Sequence, residues 1–142
     1  MRYTTDSIEQ FALKNFNQIM VNNIIKACIV EMMSAEEDNH LFVNAPGYDQ
    51  ISEDGTRTEV KYTNTVLKNG CLRIQNLVTK KGKADKFKIV DGINDRKFIV
   101  PADTFFKKAN LTKCGMFFWS STYNQSDKLQ RDNTDLLLKY EV

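Results

Sequence analysis

The first third of the chain carries the helical spacing of apolar residues. Between Ile8 and Ile19 apolar residues recur every three or four positions, which is the interval of one helix face. From Ile24 to Met33 they occur all round the helix axis, so this part is expected to be buried on several sides. Residues 7–34 therefore predict one long helix, or two helices with a break near residues 22–23.

The ends of this helical region are marked by charged residues. Asp6 and Glu9 have the spacing of a capping box, with Asp6 as the N-cap. The acidic run at residues 36–39 is predicted to be a loop after the helix. Its charges would then gain nothing from the helix dipole.

Short runs rich in β-branched and aromatic residues follow, separated by turn-forming residues. The predicted strands are residues 41–43, 48–52, 56–63, 71–76, 87–90, 97–100 and 116–119, and a short helix opens at Pro101. Residues 134–142 fit a helix or a strand equally well. The pattern predicts one α/β domain spanning residues 1–142. It has a mixed central β-sheet flanked by a long N-terminal helix and shorter helices.

The hairpin at residues 46–63 contains the most informative chemistry, and its register decides that chemistry. A two-residue turn at Asp54 and Gly55 would pair Asp49 with Val60. A three-residue loop, with Gly55 in the left-handed conformation, would pair Asp49 with Glu59 instead. Both registers agree with the sequence.

The second register brings two carboxylates and one ammonium to the same face. Asp49 and Glu59 would then have Cβ atoms about 5 Å apart, and Lys61 would lie on that face because side chains alternate along a strand. Two adjacent carboxylates need a neutralising partner. Mg²⁺ is the natural candidate, because it binds one or two carboxylates together with water and phosphate oxygens. The alternative is an ordinary charged hairpin face exposed to solvent.

Asp49 followed by Glu59-Val60-Lys61 resembles the signature of the PD-(D/E)XK nuclease superfamily, which has the restriction-endonuclease-like fold. Pro46 departs from that pattern, since it stands three residues before the aspartate. The resemblance implies a Mg²⁺-dependent endonuclease that hydrolyses phosphodiester bonds in DNA. Asp49, Glu59 and the Val60 carbonyl would hold the metal, and Mn²⁺ would substitute for Mg²⁺. Lys61 would position or activate the attacking water, and a homodimer would cut both strands.

The same resemblance implies further site residues. A glutamate on the first helix often joins the metal in this superfamily, and Glu31 is the candidate, with Glu9 as the alternative. Polar residues on the strand after the lysine often approach the phosphate, which points to Gln75 as a catalytic residue and Arg73 as a DNA contact.

Five lysines cluster between residues 79 and 88: Lys80, Lys81, Lys83, Lys86 and Lys88. With Gly82 they predict a basic loop that contacts phosphates, for which Lys80, Lys81 and Lys83 are the candidates. A solvated charged loop is the alternative.

Composition excludes several other classes of protein. There is no apolar run of membrane-spanning length and no signal-peptide pattern, so we expect an intracellular, cytoplasmic protein without a membrane partner. The three cysteines are far apart, which favours buried thiols over a zinc site, and His40 as the single histidine excludes sites built on two histidines. The many asparagines and lysines suggest a phage or viral source.

Two functions from other classes fit the same sequence. One is a catalytically inactive module that binds nucleic acid or protein on a nuclease scaffold. The other is a structural or host-interaction protein with no nucleic-acid role. Neither DNA sequence preference nor a choice between DNA and RNA follows from the residues.

Overall fold

The computed structural model describes residues 1–17, 23–64, 72–74, 83–108, 117–119 and 139–142. Gln75, Lys80, Lys81, Cys71 and Cys114 lie outside these residues. The helices are α1 (Thr5–Phe16), α2 (Asn23–Asp38) and α3 (Ala102–Lys108). The strands are β1 (Leu41–Ala45), β2 (Tyr48–Ile51), β3 (Arg57–Thr63), β4 (Leu72–Ile74), β5 (Lys86–Asp91), β6 (Arg96–Pro101) and β7 (Phe117–Trp119).

The described strands form a mixed α/β arrangement, as the sequence predicts. One sheet has the order β1-β2-β3-β5-β6, and β4 pairs with β7 in a second, two-stranded sheet. Within the larger sheet β3 and β5 are parallel, whereas the other neighbours are antiparallel. No helix in the described part of the chain is long and apolar enough to span a membrane.

The N-terminal helical region is two helices, and the first begins and ends away from the predicted positions. Thr4 is the N-cap of α1, because its side chain accepts a hydrogen bond from Ser7 N, so the assignment of Asp6 as N-cap is wrong. α1 ends where Asn17 adopts a left-handed conformation at φ 51° and its N–H bonds back to the last turn. α2 begins at Asn23, next to the break expected near residues 22–23.

Helices α1 and α2 cover one face of the sheet and supply one side of the core. The cluster there contains Tyr3, Ile8, Ala12, Ile29, Val30, Met33, Val60 and Val90. On the other face Phe87 stacks on Phe105 of α3, with ring centroids 5.2 Å apart. Alternation along β3 and β5 therefore sends even-numbered residues to the α1/α2 face and odd-numbered residues to the α3 face.

Candidate functional site

The hairpin joining β2 and β3 has the three-residue loop. Gln50 pairs with Thr58 and Ile51 with Arg57, and continuing this register places Asp49 opposite Glu59. Ser52 N donates to Thr56 O at 3.0 Å, and Gly55 has a φ of +84° that an L residue rarely adopts. The alternative pairing of Asp49 with Val60 is therefore wrong.

Glu59 and Lys61 project from the face of β3 opposite to α1 and α2. Val60, between them, belongs to the core under these helices. The Glu59 side chain is 3% exposed, and Lys61 Nζ lies 3.0 Å from Glu59 Oε1. Glu59 is also the parallel-sheet neighbour of Phe87. A buried carboxylate beside an aromatic ring is thus held next to an ammonium.

Asp49 completes the hairpin part of the site. Its Oδ2 accepts a hydrogen bond from Val60 N at 2.7 Å, which fixes the carboxylate against β3. Burial, followed by the charges of Glu59 and Glu31, raises the pKa of Asp49 to about 7. The hydrogen bond from Val60 and the charge of Lys61 act in the opposite direction.

We call Glu31, Asp49 and Glu59 the acidic triad. Glu31 comes from α2, and its charge is one of the causes that raise the pKa of Asp49. Glu9 lies on α1. Cys28, one helical turn before Glu31, is exposed, and its thiol pKa is raised by burial and by the charges of Glu31 and Asp49. The expectation of buried thiols is wrong for Cys28. Its spacing of one helical turn from Glu31 was the sequence signal that it shares a helix face with that residue.

The candidate DNA contacts are only partly described. Arg73 lies on β4, where its backbone pairs with Phe118 of β7. Lys83 is exposed, and its aliphatic chain lies against Gly47, at the turn before β2 and two residues from Asp49. This contact needs the absence of a side chain at Gly47, whose φ is +96°.

The predicted lysine loop ends earlier than residue 88. Lys86 and Lys88 belong to β5, and Lys88 is 1% exposed on the α1/α2 face. Its ammonium lies 2.8 Å from Glu37 Oε2 and 2.9 Å from Asp38 Oδ1. Lys88 is therefore a structural residue, and the prediction that it lies in a basic loop is wrong.

The prediction that the acidic run forms a loop is also wrong for most of its residues. Glu36–Asp38 form the last turn of α2 instead of a loop. Glu37 additionally contacts Lys97 and the Tyr3 hydroxyl, the latter at 2.7 Å. Burial raises the pKa of Glu37, but hydrogen bonds from Lys88, Lys97 and Tyr3 outweigh it and hold that pKa well below its usual range. These contacts fasten the end of α2 to β5 and β6.

The donor set of the candidate site suits a hard cation. Within the described residues no three His, Cys, Asp or Glu side chains are arranged to hold a metal ion. Mg²⁺ nevertheless needs only one or two carboxylates, with water and phosphate oxygens completing its coordination. The adjacent carboxylates of Asp49 and Glu59 meet that requirement, and burial followed by the charge of Glu59 raises the pKa of Asp49.

A cleft of about 330 Å³ opens elsewhere, at the loop end of the hairpin. Asp38, His40 and Lys86 are among its lining residues, and none of the predicted site residues that the structure describes lines it. The candidate site is therefore on a different part of the hairpin from this cleft.

Comparison with known proteins gives a likeness among solved structures. No protein-family model matches the chain, and no curated protein matches its sequence. Among solved structures it is similar to the bacterial homing endonuclease I-Ssp6803I, with a TM-score of 0.58 and 17% sequence identity. The likeness covers 86% of this chain and 88% of the other. The chain thus shares the α/β fold of a homing endonuclease.

Proposed function

We propose that this protein is a metal-dependent endonuclease of the PD-(D/E)XK type that hydrolyses phosphodiester bonds in DNA. The observation that carries the proposal is the placement of Asp49, Glu59 and Lys61 on one hairpin, where the charge of Glu31 on α2 also acts on Asp49. The fold shared with a homing endonuclease supports the same class of activity.

Each residue would have a distinct part in that reaction. Asp49 and Glu59 would hold Mg²⁺ or Mn²⁺, together with the Val60 carbonyl and with Glu31 at its edge. The ion, when bound, would supply charge stabilisation at the phosphate and a water of lowered pKa. Lys61 lies 3.0 Å from Glu59 and is placed to orient that water or to neutralise a phosphate oxygen. Gln75 would assist at the phosphate.

Lys83 would bind the DNA backbone near the start of β2, where its exposed side chain crosses Gly47. Arg73, Lys80 and Lys81 would extend this contact along the backbone. A homodimer would present two sites to duplex DNA. Single-site cleavage would instead give nicks.

Plasmid cleavage tests the proposal. Supercoiled and branched DNA are incubated with the native protein in Mg²⁺, in Mn²⁺ and in EDTA, beside Asp49→Asn and Lys61→Ala. Cutting should require metal and disappear in both variants. Asp54→Asn, on the exposed hairpin loop, is the matched control and should cut normally. Cutting that persists in EDTA or in both variants would overturn the proposal.

The second candidate is a nucleic-acid-binding module without catalysis. It is favoured by the lack of a three-donor metal group among the described side chains. Such a module would retain DNA in EDTA and would cleave nothing in either metal. Gel-shift titrations in EDTA and in Mg²⁺ therefore separate the two functions.

A further inference from the structure

A line of polar residues runs along the side of α2 that meets β2. Cys28, Glu31, Ser34 and Asp38 follow at intervals of three, three and four residues, which places them on one helix face. The last two bond to Gln50, and the charge of Glu31 acts on Asp49. This helix face therefore contacts β2 at Gln50.

Gln50 uses its whole amide group in these contacts. Ser34 Oγ donates to Gln50 Oε1 at 2.8 Å, and Gln50 Nε2 donates to Asp38 Oδ2 at 2.7 Å. The same nitrogen lies 2.8 Å from His40 Nδ1, which must accept because an amide nitrogen only donates. We call these four residues the Gln50 clamp.

The centre of the clamp is deeply buried. Ser34 and Gln50 are both 0% exposed, between α2 and the sheet. Burying an amide and a hydroxyl is costly unless their hydrogen bonds are made, and an apolar pair of similar size would pack without that cost. Hydrogen bonds are directional, however, so this pair tolerates only one placement of α2 along β2.

That placement sets the geometry of the candidate site. Ser34 is one helical turn from Glu31, and Gln50 is the residue next to Asp49. A shift of β2 along α2 would break the 2.8 Å bond between Ser34 and Gln50, and it would carry Asp49, the neighbour of Gln50, away from Val60 N. We propose that Ser34 and Gln50 are positioning residues, which fix Asp49 on β2 for metal binding. This inference rests on the proposed function.

The experiment uses Ser34→Ala and the double variant Ser34→Ala, Gln50→Met in the full chain. The double variant replaces the polar pair by an apolar one, and Asp38 keeps Lys88 as its partner. Mn²⁺ affinity is measured by calorimetry. The backbone amide of Val60 donates a hydrogen bond to Asp49 Oδ2. This amide is followed by NMR and hydrogen exchange in EDTA.

Both variants should bind Mn²⁺ about ten-fold more weakly or worse, as is usual when a group that orients a metal ligand is lost. The Val60 amide resonance should shift and its protection should fall, even in the double variant that recovers its packing. Thr4→Ala, which removes one hydrogen bond from α1 far from this site, is the control for general destabilisation and should leave both readouts native.

Native Mn²⁺ affinity and native Val60 protection in the folded double variant would overturn the inference, since the polar pair would then be only packing. If the native protein binds no Mn²⁺ at all, the proposed function fails. The Val60 amide in EDTA still decides whether the Gln50 clamp positions Asp49, because that readout needs no metal.

Discussion

Replacing Asp49 by asparagine tests the electrostatics of the acidic triad directly. Asparagine has nearly the same shape and can accept the hydrogen bond from Val60 N, but it carries no charge. The folded protein raises the pKa of Asp49 from 3.8 to about 7, mainly by burial and then by the charges of Glu59 and Glu31. The substitution removes that titration and leaves the packing in place.

The sign of the effect follows from proton linkage. The folded state binds the Asp49 proton more tightly than the unfolded chain does, so the group stabilises the fold fully below its unfolded pKa. This contribution is lost as pH rises from about 4 through about 7. The difference between the two pKa values corresponds to about 4 kcal/mol. The remaining solvent access of Asp49 screens the charges and lowers the expected effect to about 2 kcal/mol.

Urea unfolding in EDTA at a series of pH values measures the effect. Asp49→Asn should match the native protein near pH 4 and exceed its stability by about 2 kcal/mol near pH 8. Asp54→Asn is a control of opposite sign. The pKa of Asp54 is held well below its usual range by hydrogen bonds from Ser52 and Thr56, so that variant should lose stability as the carboxylate of the native protein ionises. A difference between native and Asp49→Asn proteins that does not change with pH would refute the reasoning.

Substitutions at Lys88, Gly47, Gly55 and Thr4 test the framework around the site by thermal and urea unfolding. Lys88→Met should lower the free energy of unfolding by about 3–5 kcal/mol, because it leaves two acidic side chains without their buried partner. Lys88→Arg keeps the charge and should lower it less. Equal losses in the two variants would contradict the ion-pair account. Gly55→Ala should lower the free energy of unfolding by about 1 kcal/mol, because its φ is positive. Gly47→Ala should lower it more, because a Cβ there also meets Lys83 whereas nothing lies within 4 Å at Gly55. Thr4→Ala should cost about 1 kcal/mol as a lost N-cap, and an unchanged midpoint would show that the cap is unimportant.

Local patterns predicted the hairpin but left its register open, because turns of two and of three residues both fit the sequence at Gly55. Gly55 allows the left-handed loop residue, and that loop fixes the pairing of Asp49 with Glu59. The period of two along β3 then places Lys61 beside Glu59. The influence of Glu31 on Asp49 could be expected only through a family resemblance, since no local rule places α2 beside β2.

The errors arose where distant contacts decide the structure. The acidic residues at the end of α2 read as a loop because their partners, Lys88 and Lys97, lie 50 to 60 residues further along the chain. Lys88 lies in the strand predicted at residues 87–90, but its burial was missed, since a buried lysine is unusual unless it is paired. The N-cap was misplaced by two residues because Asp6 and Thr4 both have the right chemistry and only the backbone chooses between them.

The fastening of α2 to β5 and β6 has a consequence for the order of folding. The acidic triad and Lys61 lie within residues 31–61, whereas the pairs of Glu37 with Lys88 and Lys97 close separations of 51 and 60 residues. Contacts between neighbouring parts of a chain cost less entropy to form, so the hairpin and α2 should associate before β5 and β6 lock them. Substitutions at Lys88 should therefore accelerate unfolding and leave the folding rate nearly unchanged. The geometry of the candidate site would then form early in folding, and the ion pairs of Lys88 and Lys97 would slow its unfolding.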